Sequence, residues 1–487
     1  MKTRKILALV LAALMSVALF AGCGQSGAAP AAPAAEKSEA AAPAAEKSEA
    51  AAPAAEASSA APAAEASSAA SEAPAAPAGD AAVVPAVPDL GGKTSLEWLL
   101  DQDDKLPLGG LQPAHLDSRA DIDKALDGFV EDDDFTIAWA SASQGSSFFT
   151  EMVRSAKEEA ESYGWTFLNQ SAEFDMATQQ NQIENFLTQD IDVLVVNAVD
   201  IDACMQYFRQ AVDKGIPVFC CGPTAGKPDY PVVTVVVSGS FESGYAVGEY
   251  CAEKLWGQFP DGVNFGAVIS RAGDADSNSR PCGFVSGYLH KYAELAGQPY
   301  ESKWDATVIG YQTWVECRDS GSSSIPGIIN LVGYGAAGAT DAASAQPVAA
   351  DLLTAHPEME LIMSETDSLC PAIFQEAIQH GRVPGDDLLI VCGADSADYT
   401  LEHIKSGEYL AVGNNAPYYT GEGIVKMIKA ILDGKLDGNN LPATSYTPTY
   451  AVTPENIDEV WDGSAAFAAA SEWEVQTIDD YNAANGG

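Results

Sequence analysis

From Phe135 onward, short apolar runs alternate with amphipathic stretches, and the alternation itself predicts the architecture. Phe135 to Ala140 is a β-branched and aromatic run that reads as a buried strand. Ser141 to Ser147 is a small polar loop, after which Phe149, Met152, Val153, Ala156 and Ala160 recur at helical spacing until Gly164 stops the helix. Strands follow at Thr166 to Asn169, Val193 to Asn197 and Ile216 to Cys221, with helices at Met176 to Thr188 and Ile201 to Lys214 between them. A second series runs from about Phe241: a helix to Leu255, a strand Phe265 to Ser270, a helix through Phe284 to Leu295, a helix Gln346 to Ala355, a strand Leu361 to Ser364, a helix Cys370 to His380 and a strand Leu388 to Cys392. The strands are continuous apolar runs rather than alternating ones, so both faces are buried, which implies parallel sheets covered by helices. The expected fold is α/β: two similar Rossmann-like lobes in succession, with the 141–147 loop at the carboxyl end of a parallel strand, where open sheets bind ligands.

The chain before Phe135 has a different character. Lys2, Arg4 and Lys5 precede an apolar run from Ile6 to Phe20, then small residues and Cys23. Residues 1–23 thus read as a signal peptide, the run being too short and too soon interrupted for a membrane span. The residues before Cys23 resemble a bacterial lipobox, which implies lipidation of Cys23 and an exported, membrane-tethered protein. Residues 24–88 are nearly all Ala, Pro, Glu and Ser, with AAPAAEKSEA at 31–40 repeated at 41–50. With so little apolar side chain this stretch cannot offset its ordering entropy, and it reads as a disordered linker. Residues 89–134 form an N-terminal extension with helical apolar spacing at Leu96 to Leu100 and Ile122 to Val130. Its acidic pairs lack the alternating ligands, Gly turn and distal Glu of a calcium loop, and read as solvated flanks.

Charge and motifs narrow the function. The net charge of −44 lies almost wholly beyond residue 78, and such a surface repels nucleic acid and anionic lipid. After Cys23 come Cys204, Cys220, Cys221, Cys251, Cys282, Cys317, Cys370 and Cys392. Several fall in apolar strands, so free thiols acting as small hydrophobes are expected, and adjacent Cys220-Cys221 makes no metal site. No G-x-S-x-G, H-E-x-x-H or Walker loop is present; GPTAGK at 222–227 has the wrong spacing and precedes Pro228. The expectation is a non-enzyme without cofactor or metal.

The ordered set SSFFTEMVRSAKEEAESYGW, QQNQIENFLTQDIDVLVVNAVDIDA, AVDKGIPV, RPCGF, DLLTAHPE and Gly393-Ala394-Asp395 resembles the periplasmic sugar-binding proteins of the ribose, galactose and autoinducer type, over roughly residues 135–450. The resemblance implies two lobes joined by a three-crossover hinge, with ligand enclosed between them. In such sites aromatic rings stack on the apolar faces of a sugar while planar polar groups bond its hydroxyls. Carried over residue by residue, Ser146 and Phe148 occupy the first binding loop and Phe149 is a second wall or core. Asn197 and Asp200 follow the strand from Val193, Asp200 serving either as a lining residue or as a helix cap. Arg280, in R-x-x-G-F, matches the family's forked arginine, with Asp276 one helical turn before it and Asp274 nearby. Asp274, Asp276 and Asn278 alternate like the start of a calcium loop but lack its Gly and terminal Glu. In the second lobe Thr366 and Asp367 stand where the family has Asn-Asp, Asp395 matches its ligand-binding aspartate and Asn415 its hinge-side amide. One departure stands out. Where the family commonly has Asp or Asn followed by a basic residue, this chain has Gly222-Pro223, so ribose or galactose is not implied. An insertion between Gly297 and Asn330, with Trp304, Tyr311, Trp314 and Cys317, either rims the cleft or decorates the second lobe.

The implied division is 135–238 plus 416–446 for the N-terminal lobe and 239–415 plus 447–487 for the C-terminal lobe and tail. The implied function is a monomeric, lipid-anchored solute-binding protein at the extracytoplasmic face of the cell membrane, which captures a sugar or related small polar ligand and delivers it to an ABC permease and its ATPase. The alternative is a receptor that presents the ligand to a membrane sensor kinase or chemoreceptor.

Overall fold

The apolar runs become the strands of two sheets, in a computed structural model that describes residues 81–111, 120–222 and 230–484. The signal peptide, Cys23, nearly all of the linker and Pro223 lie outside the described residues. In chain order the elements are α1 (Ser95–Leu100), α2 (Asp123–Leu126), β1 (Thr136–Ser141), α3 (Ser147–Ser162), β2 (Thr166–Ser171), α4 (Met176–Phe186), β3 (Val193–Asn197), α5 (Ile201–Asp213), β4 (Val218–Cys221) and β5 (Thr234–Ser238). Then come α6 (Ser240–Lys254), β6 (Val263–Ile269), α7 (Ala275–Leu295), α8 (Lys303–Ser320), β7 (Ser323–Ile325), β8 (Ile329–Ala336), α9 (Ala342–Ala355), β9 (Leu361–Ser364), α10 (Cys370–Gln379), β10 (Leu389–Cys392), α11 (Asp398–Ser406) and β11 (Ala411–Gly413). The chain closes with α12 (Pro417–Leu432), β12 (Thr444–Thr447), β13 (Ala451–Val452), α13 (Ile457–Val460) and α14 (Ile478–Ala484). Among the described residues no helix is long and apolar enough to cross a membrane.

The first sheet has the order β12-β5-β4-β3-β1-β2 and is parallel throughout. Its central strands β1, β3 and β4 are fully buried, as their apolar runs require, whereas the edge strand β2, with Asn169, Gln170 and Ser171, is only partly covered. The second sheet has the order β13-β11-β10-β9-β6-β8-β7, parallel except at its two ends, where β13 and β7 run antiparallel. Each sheet carries an apolar core on both faces. The chain crosses between lobes after β5, after β11 and after β12, the three crossings of a hinge. The segment after α13 returns to the first lobe, where Trp473 and Val475 pack on its core and Ser471 bonds the Tyr419 hydroxyl of α12.

Several elements differ from the sequence reading. Helix α7 begins at Ala275 rather than near Phe284, because the Asp274 carboxylate caps it by accepting from the Ser277 N–H at 3.0 Å. The 297–330 insertion becomes α8 and the β7–β8 hairpin. Trp314 and Cys317 are buried in the second-lobe core, so the insertion thickens that lobe and lines no part of the cleft. The extension is likewise structural. Leu99, Leu108 and Leu111 enter the second-lobe core and Trp98 packs edge-on against Tyr311 at 5.8 Å; the end of the stretch expected to be a disordered linker is ordered too, Val84 and Val87 packing on the same core and Tyr300 donating to the Pro85 carbonyl at 2.8 Å. The extension's acidic residues are not all solvated flanks, since Asp104 pairs with Arg318 of α8. Ile122, just before α2, and Ala125 within it belong instead to the first-lobe core.

Helices α6 and α7 approach backbone to backbone. A β-carbon on Gly244, Gly248, Gly283 or Gly287 would lie 2.0–2.1 Å from a carbonyl oxygen of the facing helix. Only glycine permits this spacing, and it holds the first turns of α7 against the hinge-side helix. All eight cysteines beyond Cys23 are free and buried, packing as small apolar groups.

Candidate functional site

Between the carboxyl ends of the two sheets lies a cavity of about 960 Å³, lined from both lobes. It is built where the strands end because the loops there carry polar side chains that the apolar strands cannot accommodate. The first lobe supplies rings. Ser146 precedes α3 without capping it by its side chain, and Phe148 and Phe149 follow on the first turn. Phe148 meets Phe149 edge-on at 5.7 Å and Phe467 at 6.1 Å, while Phe149 meets Phe174 at 5.7 Å. Ser146, Phe148 and Phe149 all line the cavity.

Asn197 also lines it, but its amide is employed in holding loops together. Its oxygen accepts from the Ala142 N–H at 3.2 Å and its nitrogen donates to the Cys221 carbonyl at 3.2 Å. Asp200 does not line the cavity, although its neighbour Val199 does; it caps α5 by accepting from the Ala203 N–H at 3.1 Å. Gly222 lies directly against Asn197, where a β-carbon would sit 2.7 Å from the amide nitrogen.

The second lobe supplies charge. Arg280 and Asp276, on the first turns of α7, both line the cavity with Asp274. Arg280 does not stand free as the forked ligand donor the resemblance implies. Its Nη1 is paired at 2.6 Å with Glu365, whose side chain is 4% exposed, and Glu365 takes two further bonds from the Ser270 N–H at 2.9 Å and hydroxyl at 2.6 Å. The Arg280 Nε is buried without a partner among the described residues, so part of the fork is still uncommitted. Burial works against the Arg280 charge, yet Glu365, then Asp276 and Asp395, hold its pKa above the ordinary value. Asp276 accepts from the Ser240 hydroxyl at 2.7 Å, at a helix N-terminus that favours its charge.

Thr366, Asp395 and Asn415 are brought together as a unit. The Thr366 hydroxyl donates to one Asp395 oxygen and the Asn415 amide donates to the other at 3.3 Å. Asp395 and Ser396 have φ values of 91° and 64°, a left-handed turn that costs about 1–3 kcal/mol per residue and aims the carboxylate into the cleft. Beneath them Asp367 is buried, accepting from the Ala397 N–H and from the Cys392 thiol at 3.0 Å. Burial, with Asp395 nearby, pushes Asp367 up to about 8. Asp367, Cys370 and Cys392 form the group of metal-type donors among the described residues. Burial pushes the Cys392 thiol well up, and its proton serves Asp367, so the trio is a hydrogen-bonded support for the Asp395 loop rather than an ion cage.

Among the lining residues that escaped the sequence reading are Phe174, Arg271, Glu365, Tyr399 and Phe467. Glu365 was accessible as the residue after β9 and beside Thr366. Phe467 had no local signal, because it reaches the cleft through the tail, where the chain beside it pairs with Ser396 to Asp398.

A family model described as a periplasmic binding protein domain matches residues 137–436. The chain belongs to that family. Ribose import binding protein RbsB of Salmonella typhimurium is 21% identical to this periplasmic binding protein over 301 residues, covering 62% of this chain and 86% of the relative. The RbsB of Escherichia coli matches over the same length at 21%. Among solved structures, an ABC transporter solute binding protein from Bacillus halodurans with bound myo-inositol is 22% identical, with a TM-score of 0.51 over 68% of this chain and 98% of that one. A periplasmic solute binding protein from Actinobacillus succinogenes with bound D-allose is 18% identical, with a TM-score of 0.52 over 67% and 99%. At such identities the structures share the fold. The extension and the Phe467 tail lie outside the span that defines this periplasmic binding protein's family.

Proposed function

We propose that this chain is an extracytoplasmic solute-binding protein, anchored by lipid at Cys23, that encloses a sugar or related small polar ligand between its lobes and delivers it to an ABC permease and its ATPase. The observation that carries this reading is the cavity with rings on one lobe and hydrogen-bonding groups on the other. Rings stack on apolar C–H faces, planar polar groups fix hydroxyls, and closure removes competing water. The relatives named for ribose import, and the neighbours with bound allose and inositol, support a polyhydroxylated ligand. We take Ser146, Phe148, Phe149, Asn197, Asp276, Arg280, Thr366, Asp395 and Asn415 as the ligand-facing set, with the lobes divided as 135–238 plus 416–446 and 239–415 plus 447–487, the last including a tail that packs on the first lobe from Ser471. The protein acts as a monomer and needs no cofactor, since binding and closure alone perform the task.

The test is a panel of sugars and cyclitols screened by thermal shift and tryptophan fluorescence, with mass spectrometry of any ligand retained on native purification. A binder raises the melting temperature in proportion to the logarithm of its concentration. Arg280→Ala and Asp395→Ala each weaken that binder; unchanged affinity in both removes the site assignment.

A further inference from the structure

The two walls of the cavity differ in charge. Among the described lining residues the second lobe contributes four carboxylates, on Asp274, Asp276, Glu365 and Asp395, beside the buried Asp367, which is raised to about 8, against two cations, Arg271 and Arg280. Among the described residues the first lobe contributes no charged side chain to the lining, its wall including rings, small polar residues and the Asn197 amide. Where its resemblance to sugar binders leads one to expect a basic residue, the chain has Gly222-Pro223. Among the described residues nothing across the cleft offsets the acid.

The two cations offset it only in part, since Arg280 is paired first with Glu365 at 2.6 Å and Arg271 is exposed to solvent. That leaves Asp276 and Asp395, whose bonds come from neutral groups alone: the Ser240 hydroxyl for one, the Thr366 hydroxyl and the Asn415 amide for the other. A carboxylate in a closing cleft loses water, and a cationic donor restores more of that loss than a hydroxyl does, because charge-assisted bonds are about twice as strong as neutral ones. The long-range field of a chain with net charge −44 draws the same class of ligand toward the cleft.

We propose that the ligand is a hydroxylated ring carrying a protonated amine, an amino sugar, with its ring on Phe148 and its ammonium on the acidic wall formed by Asp276 and Asp395. This rests on the sugar-binding reading above. It differs from that reading in what it demands of the ligand: a positive charge, not only hydroxyls.

The experiment is isothermal titration of the full chain with matched pairs, glucosamine against glucose and N-acetylglucosamine, and galactosamine against galactose and N-acetylgalactosamine, at about 20 and 200 mM salt. In at least one set the amine is expected to bind tenfold or more tightly than both its neutral counterparts, and to lose affinity with salt while they do not. Asp276→Asn and Asp395→Asn are expected to narrow the gap, with folding checked by unchanged melting of the unliganded variants. If neutral sugars bind and no amine exceeds its neutral counterparts, the charge inference is wrong and the sugar-binding reading stands. If no sugar in the matched sets or the wider panel binds, both fall together.

Discussion

Replacing Gly248 by alanine separates two opposing effects in the α6–α7 contact. Helix propensity alone favours alanine by about 0.8–1.0 kcal/mol. The structure predicts the opposite sign. A β-carbon at Gly248 would meet the Phe284 carbonyl oxygen at 2.1 Å and the Tyr288 nitrogen at 2.8 Å, whereas ordinary contact begins near 3.4 Å. The obstructing atoms are backbone and cannot rotate aside, so the helices must part by roughly 1 Å. Parting them loosens Phe241, Tyr245, Phe284 and Tyr288, all buried in the second-lobe core. Overpacking of this kind costs about 1–3 kcal/mol and occasionally more; with the loosened aromatics added and the propensity gain subtracted, Gly248→Ala should lose roughly 2–3 kcal/mol. Urea titration followed by fluorescence measures it, with Gly287→Ala and the double variant beside it. Because one separation makes room for both methyl groups, the double variant should lose less than the two single losses combined. A Gly248→Ala protein equal to or more stable than the parent refutes the close-packing argument.

Three further outcomes follow from the site. Arg280→Met strands the Glu365 carboxylate and should cost about 3–5 kcal/mol, while the Arg280→Met, Glu365→Gln double variant costs clearly less than the two single losses combined; strict additivity in denaturant titrations would show that the pair is not coupled. Asp367 is raised to about 8 in the folded state from an ordinary value of 3.8, so its contribution to stability is fully present below that ordinary value and is lost as pH rises through about 8. Asp367→Asn removes this loss, so its melting temperature relative to the parent should climb between pH 5 and 9; a pH-independent difference would contradict the assignment. Asp200→Ala should lose about 1 kcal/mol as a helix cap and leave ligand affinity unchanged, and a loss of affinity without a loss of stability would return Asp200 to the site.

What the sequence made legible was whatever a local pattern encodes. The strands from Val193 and Leu361 appear with the bounds expected, because buried parallel strands must be apolar on both faces and stand out against amphipathic helices. The 303–320 helix was harder to see, since its apolar residues Val308, Ile309, Tyr311 and Trp314 surround it rather than forming a stripe. Most of the expected lining residues sit in the cavity because they follow strand ends, a position that pattern alone identifies. What pattern could not convey was pairing. Arg280 looked like a free donor because Glu365 lies 85 residues away and meets it only once β6 and β9 lie side by side. Phe467 was invisible for the same reason, being delivered by a tail whose course depends on both lobes.

The extension changes what counts as one folding unit. The span recognised by family begins at residue 137, yet Leu99, Leu108 and Leu111 already belong to the second-lobe core and Ile122 to that of the first. A chain trimmed to the family boundaries would open apolar surface on both lobes at once and release Arg318 from Asp104, and with it the Arg318 contact to Asn278 on the first turn of α7. Residues 95–111 and 120–126 are thus part of the folded body, and through Arg318 and Asn278 the extension buttresses the helix that carries Asp276 and Arg280.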